Sequence, residues 1–163
     1  MTLIKIGKIV NTHGIKGEIR LLSKFPYKDK VFINNMTIYI DKKDKEIINT
    51  YRKHKNFDMI TLKDYNNINE VLKYKGKNVY VNDSDIKLDN NKYLDEELIG
   101  LNVIYEDNNK GTIVDIERYD KTVLFNIKNN DKEYLIPYND SIIDKIDINN
   151  KRIYIKDIKG LFD

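Results

Sequence analysis

Two glycines three residues apart, with a lysine between them, a histidine in front and an arginine behind, give residues 7–21 (GKIVNTHGIKGEIRL) the look of a phosphate-binding loop. A P-loop needs Gly-Lys followed by Ser or Thr and then a long helix, whose amides and N-terminus hold the phosphates. Here Gly17 is followed by Glu18, an acid that would repel a phosphate, and then by strand-like EIRLL. The cradle is rejected. Gly14 and Gly17 suit a tight connection between two paired strands, where positive φ or a bulge is needed.

His13 is a candidate general base only if a substrate proton or nucleophile and an orienting partner lie within reach. Thr12 is adjacent, but no Ser/Asp constellation stands out, so a structural or hydrogen-bonding histidine is expected. His54, inside YRKHKN, is expected to be a solvated loop residue. The chain has no cysteine, which excludes disulfides, thiolate metal sites and thiol nucleophiles. Two histidines far apart in sequence argue against a histidine metal site, and neither metal nor cofactor is expected. No pair of carboxylates falls in an acid/base frame, so no enzyme activity is expected.

Two charged clusters remain. Tyr51, Arg52, Lys53 and Lys55 form the strongest basic group. They suit a phosphate contact with Tyr51 as a stacking surface, or a solvated hairpin end in a lysine-rich chain. Asp95, Glu96 and Glu97 suit either a basic protein partner or the capping of the following turn.

These residues need elements to position them. Through residue 83 the chain offers six strand-like runs, LIKIGKIV, GEIRLLSKF, MTIYIDKK, EIINTYRK, FDMITLKD and KNVYVND, most of them alternating and bounded by Asn, Asp or Gly. In FDMITLKD, Phe57, Met59 and Thr61 share one face, and Ile60 and Leu62 the other. Residues 66–77 differ: Ile68, Val71 and Leu72 follow i, i+3, i+4 spacing, with an asparagine as N-cap and Gly76 as stop, which predicts one short helix. The second half offers five more strands, LNVIYED, GTIVDIER, TVLFNIK, EYLIPY and RIYIKDI. Val123, Phe125 and Ile127 alternate, and Pro137 belongs at a strand end or sheet edge because it cannot donate to a ladder. Short strands at this spacing predict an all-β chain of two small barrels in series.

Composition agrees. Forty per cent apolar and 34% charged residues describe a folded, soluble chain, and 12 tyrosines with many Ile and Val favour strands. No signal peptide or membrane-spanning run is visible, so a cytoplasmic location is expected. Net charge +3 hides a split: 18 Lys and Arg against 10 Asp and Glu through Leu88, then 11 against 16. The polar stretch at residues 83–100 separates the halves, so the domains are read as 1–88 and 89–163. The basic half suits RNA phosphates and the acidic half basic proteins.

IGKIVNTHGIKGEIRL resembles the N-terminal signature of the bacterial ribosome maturation factor RimM family, including His13, Gly14, Lys16, Gly17 and Glu18, with the polar and aromatic SKFPYKDKVF after it. ELIGLNVIYEDNNKGTIVDIERYDKTVLFNI, with Gly111 in its second strand, resembles the start of that family's PRC barrel. YLIPYNDSIIDKIDINNKRIYIKDIKGLFD resembles its ending. The resemblance implies a six-stranded translation-factor-like barrel followed by a PRC barrel. It implies a non-catalytic assembly factor that binds the nineteenth small-subunit ribosomal protein and the immature small subunit with its rRNA, and assists head maturation and 16S rRNA processing. A monomer is expected. The family's adjacent tyrosine pair, tied to ribosomal-protein binding, reads Tyr93-Leu94 here, which removes a ring and a hydroxyl. Tyr93 then either contacts the partner or packs the seam between domains. Gly14 and Gly17 are expected to turn a corner in the first barrel, and any further job of that loop would be contact with the ribosomal head. The alternative is a general RNA-binding, translation-associated β protein acting through the basic half alone.

Overall fold

Ile4, Ile6 and Ile9 are all buried along one strand, β1 (Leu3–His13), although the last two are three positions apart rather than two. A bulge between Lys5 and Gly7 accounts for the broken alternation, because one extra residue resets the inward face. The computed structural model describes the whole chain, Met1–Asp163, in two units, Met1–Asn90 and Asn91–Asp163.

In the first unit, β1 pairs through its early residues with β6 (Asn78–Asn82) and through its later ones with β2 (Glu18–Leu22). β3 (Thr37–Ile40), β4 (Asp44–His54) and β5 (Phe57–Leu62) complete a closed antiparallel barrel of order β1-β2-β5-β4-β3-β6. Ile19, Leu21, Ile38, Ile40, Ile60, Val79 and Val81 fill it, each fully buried. Burying an aliphatic side chain is worth about 1.5–3 kcal/mol, so this inward set is the main stabilising term of the unit.

The short helix forms where expected, as α1 (Ile68–Val71) followed by a 3-10 turn at Leu72–Tyr74. Asn67 accepts the Glu70 N–H, and the Glu70 carboxylate accepts the Asn67 N–H, a reciprocal cap. The corner between β1 and β2 docks this helix. The Ile68 N–H donates to the Ile15 carbonyl at 2.9 Å, and the Asn67 carbonyl lies 2.8 Å from where a Cβ on Gly17 would stand.

In the second unit, α2 (Asp95–Leu98) is a single turn leading into β7 (Asn102–Tyr105), β8 (Asn108–Arg118), β9 (Val123–Asn129) and β10 (Lys132–Pro137). β11 (Ile143–Asp147) and β12 (Arg152–Ile155) follow. The strands form one six-stranded sheet, β10-β9-β8-β7-β12-β11, antiparallel except for β7 and β12. Pro137 ends β10, the edge strand, where its missing N–H costs no ladder bond. Leu98, Val103, Ile113, Phe125, Ile127, Ile136 and Ile153 make the core. Phe162 of the C-terminal tail packs on Tyr105 and edge-on to Tyr134.

The all-β class holds, with two departures in detail. β11 was not among the expected strands, because a bulge between Ile143 and Lys145 breaks the alternation of IIDKIDI. In the second unit β10 and β11 share no ladder, so its sheet curves around a core without the closed hydrogen-bond circuit of the first.

The two glycines of the corner give a graded test. Gly14 has φ +72° with nothing within 4 Å of a added Cβ, whereas Gly17 has φ +87° and the Asn67 backbone in the way. Gly14→Ala is expected to cost about 1 kcal/mol from the left-handed backbone alone. Gly17→Ala is expected to cost ~2–4 kcal/mol, since the α1 cap must also move. Urea unfolding of the two variants checks the order.

Candidate functional site

His13 and His54 are the last residues of β1 and β4, at opposite corners of the four-strand array β1-β2-β5-β4. Their ring centroids are 5.8 Å apart with planes tilted by 40°. The twist of a closed six-stranded sheet is what brings corners three strands apart onto one another. His54 is therefore half-buried at a strand end rather than solvated in a loop.

Arg20, on β2, donates from Nη2 to His13 Nδ1 at 2.9 Å, and its guanidinium lies 5.0 Å from the centre of the Phe57 ring. Its Nε is buried and has no hydrogen-bond partner. An arginine only donates, so His13 Nδ1 is the acceptor and its proton sits on Nε2. Arg52, on β4, clamps Glu18 with two bonds of 2.8 and 2.7 Å. That clamp holds the Glu18 carboxyl below the usual range, against opposing burial, with Arg52, His13 and His54 adding favourable charge. Burial pushes His54 below its ordinary value, and the charges of Arg52, Lys55, His13 and Arg20 push the same way. Met59, flanked in register by Arg20 and Arg52, is fully buried.

The other face of the same hairpin is built around Asp58, which sequence reading did not single out. Its side chain is fully buried, and it takes the Lys28 ammonium at 2.8 Å, the Tyr51 hydroxyl at 2.5 Å and the Lys53 ammonium at 3.6 Å. The signal was present: Asp58 has the strand parity of Ile60 and Leu62, so a carboxylate is turned toward the interior and must be paired. Tyr51 stacks on Phe32 at 5.5 Å with planes 8° apart. Burial and then the Asp58 carboxylate push its hydroxyl up to about 12. Of the expected RNA-contact group, Tyr51, Arg52 and Lys53 are thus committed to internal carboxylates, and Lys55, in the turn at φ +55°, carries no ion pair.

In the signature loop, Ile15 is 81% exposed and Lys16 lies beside it in solvent, while Gly17 is buried. In the second unit, Leu94 is buried and its N–H donates to Glu97 at 3.0 Å. Asp95 pairs with Arg118 at 2.5 Å. Glu97 thus caps the turn, as one of the two expectations had it, and the apolar contact of Leu94 is made inward. Glu96 is exposed, and Tyr93 packs partly buried against the core of its own unit.

No group of three or more His, Cys, Asp and Glu side chains is placed to hold a metal ion, and no helix is long and apolar enough to cross a membrane. A closed barrel with a cation-rich corner, followed by an acidic second β unit, defines a tandem β protein. Residues 4–86 match the model of the RimM N-terminal domain and residues 95–161 that of the RimM PRC barrel domain. The chain belongs to the RimM family. It is 34% identical to the ribosome maturation factor RimM of Shouchella clausii, over 97% of this chain and 96% of that one. It is 37% identical to that of Bacillus mycoides, over 96% of each. It is also similar to the crystal structure of a 16S ribosomal RNA processing protein RimM from Pseudomonas aeruginosa, with TM-score 0.46 and 23% identity, over 98% of this chain and 99% of that one.

Removing the buried carboxylate tests the hairpin. Asp58→Asn is expected to lower the unfolding free energy by ~1–3 kcal/mol, leaving Lys28 and Lys53 without their anion. In ultraviolet titration Tyr51 then ionises nearer the ordinary tyrosine value instead of about 12. The raised hydroxyl stabilises the fold fully below pH ~10, and that contribution is lost as pH rises from there toward the folded value. The variant loses less stability than the parent across this alkaline window.

Proposed function

We propose that this protein is a ribosome assembly factor that acts by binding, without catalysis. Its second unit takes the nineteenth small-subunit ribosomal protein, its first unit faces rRNA, and together they assist maturation of the small-subunit head and processing of 16S rRNA. The observation that carries this reading is the opposite charge of two separately folded units in a chain of the RimM family. The first holds 18 Lys and Arg against 11 Asp and Glu, the second 11 against 15. Ribosomal proteins and rRNA are polymers of opposite sign, and a factor holding both needs two fields rather than one. Glu96, exposed on α2, is the carboxylate of the DEE group left for a cationic partner. The protein works as a cytoplasmic monomer in this reading.

The cation-rich corner of the first unit favours a second reading, a general RNA-binding protein working through that unit alone. One titration separates the two. The full chain is expected to bind purified nineteenth small-subunit protein saturably, and Glu96→Lys to weaken that binding about three- to tenfold, chiefly in association rate, with a shallower salt dependence. Absence of ribosomal-protein binding beside tight binding to naked rRNA would transfer the function to the second reading.

A further inference from the structure

The corner that joins His13 to His54 holds more positive charge than its own acid can balance. Glu18 is the carboxylate there, and both its oxygens are taken by Arg52. Arg20 and Lys55 are left as uncompensated cations. Arg20 has one side-chain bond, to His13, and a buried Nε without an acceptor. A buried guanidinium N–H with no partner is rare in folded proteins, and here it means that no carboxylate of the unit balances the Arg20 charge. The bond from Arg20 also fixes the His13 tautomer, so His13 keeps an Nε2–H to donate. His54, 5.8 Å away, adds a second imidazole. Phe57, under the Arg20 guanidinium, stiffens the arginine and leaves the rest of its edge for an acceptor with several oxygens.

We propose that this corner is a seat for one phosphate group, received from an RNA backbone, with Arg20, His54 and Lys55 as its cationic donors and His13 as a neutral one. The occupant rests on the reading of the first unit as the RNA-facing one, whereas the phosphate chemistry stands on the residues. Arg52 is not part of the seat. Its role is positional, holding Glu18 away from the incoming anion and covering Met59. The titratable and charged groups facing His54 are His13 from β1, Glu18 and Arg20 from β2, and Arg52 and Lys55 from its own hairpin. Three of these, Arg20, Arg52 and Lys55, are cationic, and a bound phosphate opposes the field that now disfavours the imidazolium. Binding therefore takes up a proton at His54, and affinity falls as pH rises through the interval between the free and bound titrations of that ring.

The test follows the ring signals of the two histidines by NMR in the full chain, assigned with His54→Gln. Inorganic phosphate at constant ionic strength is one probe and a short RNA hairpin the other. The expected result is that the His54 midpoint rises by about one pH unit with the hairpin. A rise with both probes supports a general phosphate seat, and a rise with the hairpin alone a seat shaped for phosphodiesters. A rise with inorganic phosphate alone keeps the seat and removes RNA as its occupant. No movement with either probe, in a protein that still binds the hairpin, overturns the seat while leaving the RNA-facing reading in place. No movement and no hairpin binding overturns both. Lys55→Asn, which tolerates the left-handed turn, is expected to reduce the slope of log K against log salt for the hairpin by about 1. An unchanged slope removes Lys55 and overturns the proposed donor set.

Discussion

The first unit depends on β1 being shared between two neighbours. Every strand of a closed sheet pairs on both edges, and closure also needs stagger, which arises where a strand meets its two neighbours along different parts of its length. β1 does this over eleven residues, with a bulge toward β6 and another toward β2. Gly7 sits between them, where an added Cβ would lie 3.1 Å from the Leu22 carbonyl. Each bulge adds local twist, and twist carries the ends of β1 and β4 toward one another. The histidine contact, the Arg52–Glu18 clamp and the burial of Met59 are all consequences of closure. None would survive in a flat sheet of the same strand order.

The two units solve the problem of the barrel end differently. In the first, a carboxylate is buried and compensated, with Lys28, Lys53 and the Tyr51 hydroxyl converging on Asp58. Such a cluster adds little net stability compared with apolar packing, but it fixes which side chains meet, because any other arrangement strands a charge. In the second, aromatic rings do the closing. The Tyr105 hydroxyl donates to the Ile158 carbonyl at 2.7 Å, Phe162 packs tilted on Tyr105 and edge-on to Tyr134, and Lys110 lies over the Tyr105 and Phe162 rings. There the tail is held by area and quadrupole, which salt does not screen.

What the sequence made legible was whatever depends on neighbours along the chain. Alternation placed the strands of the first unit, Asn67 marked the start of α1 and Gly76 the end of the helical stretch that continues it, and Pro137 marked an edge. The signature glycines read as a corner because a left-handed backbone is a local property. β11 was missed for the converse reason, since a bulge erases a period of two without removing the strand. The candidate site was less legible. YRKHK reads as five exposed side chains in a row, yet strand parity divides it, sending Tyr51 and Lys53 to Asp58 and Arg52 to Glu18. The pairing of His13 with His54 requires both the strand order and the twist, and neither is written in any local window.

Net charge and committed charge therefore answer different questions. The excess of lysine and arginine in the first unit sets the field that an approaching polyanion feels, over a distance of about 8–10 Å at physiological salt. It does not say where that polyanion stops. Arg52, Lys28 and Lys53 contribute to the field but already hold carboxylates, and breaking those bonds to take a phosphate would strand Glu18 or Asp58. Arg20 and Lys55 carry no such debt. The same division holds in the second unit, where Asp95 faces Arg118 and Glu97 caps its own turn, leaving Glu96 outward. In each unit a charge that already holds an internal partner adds to the field but is not free to take a new one without stranding that partner.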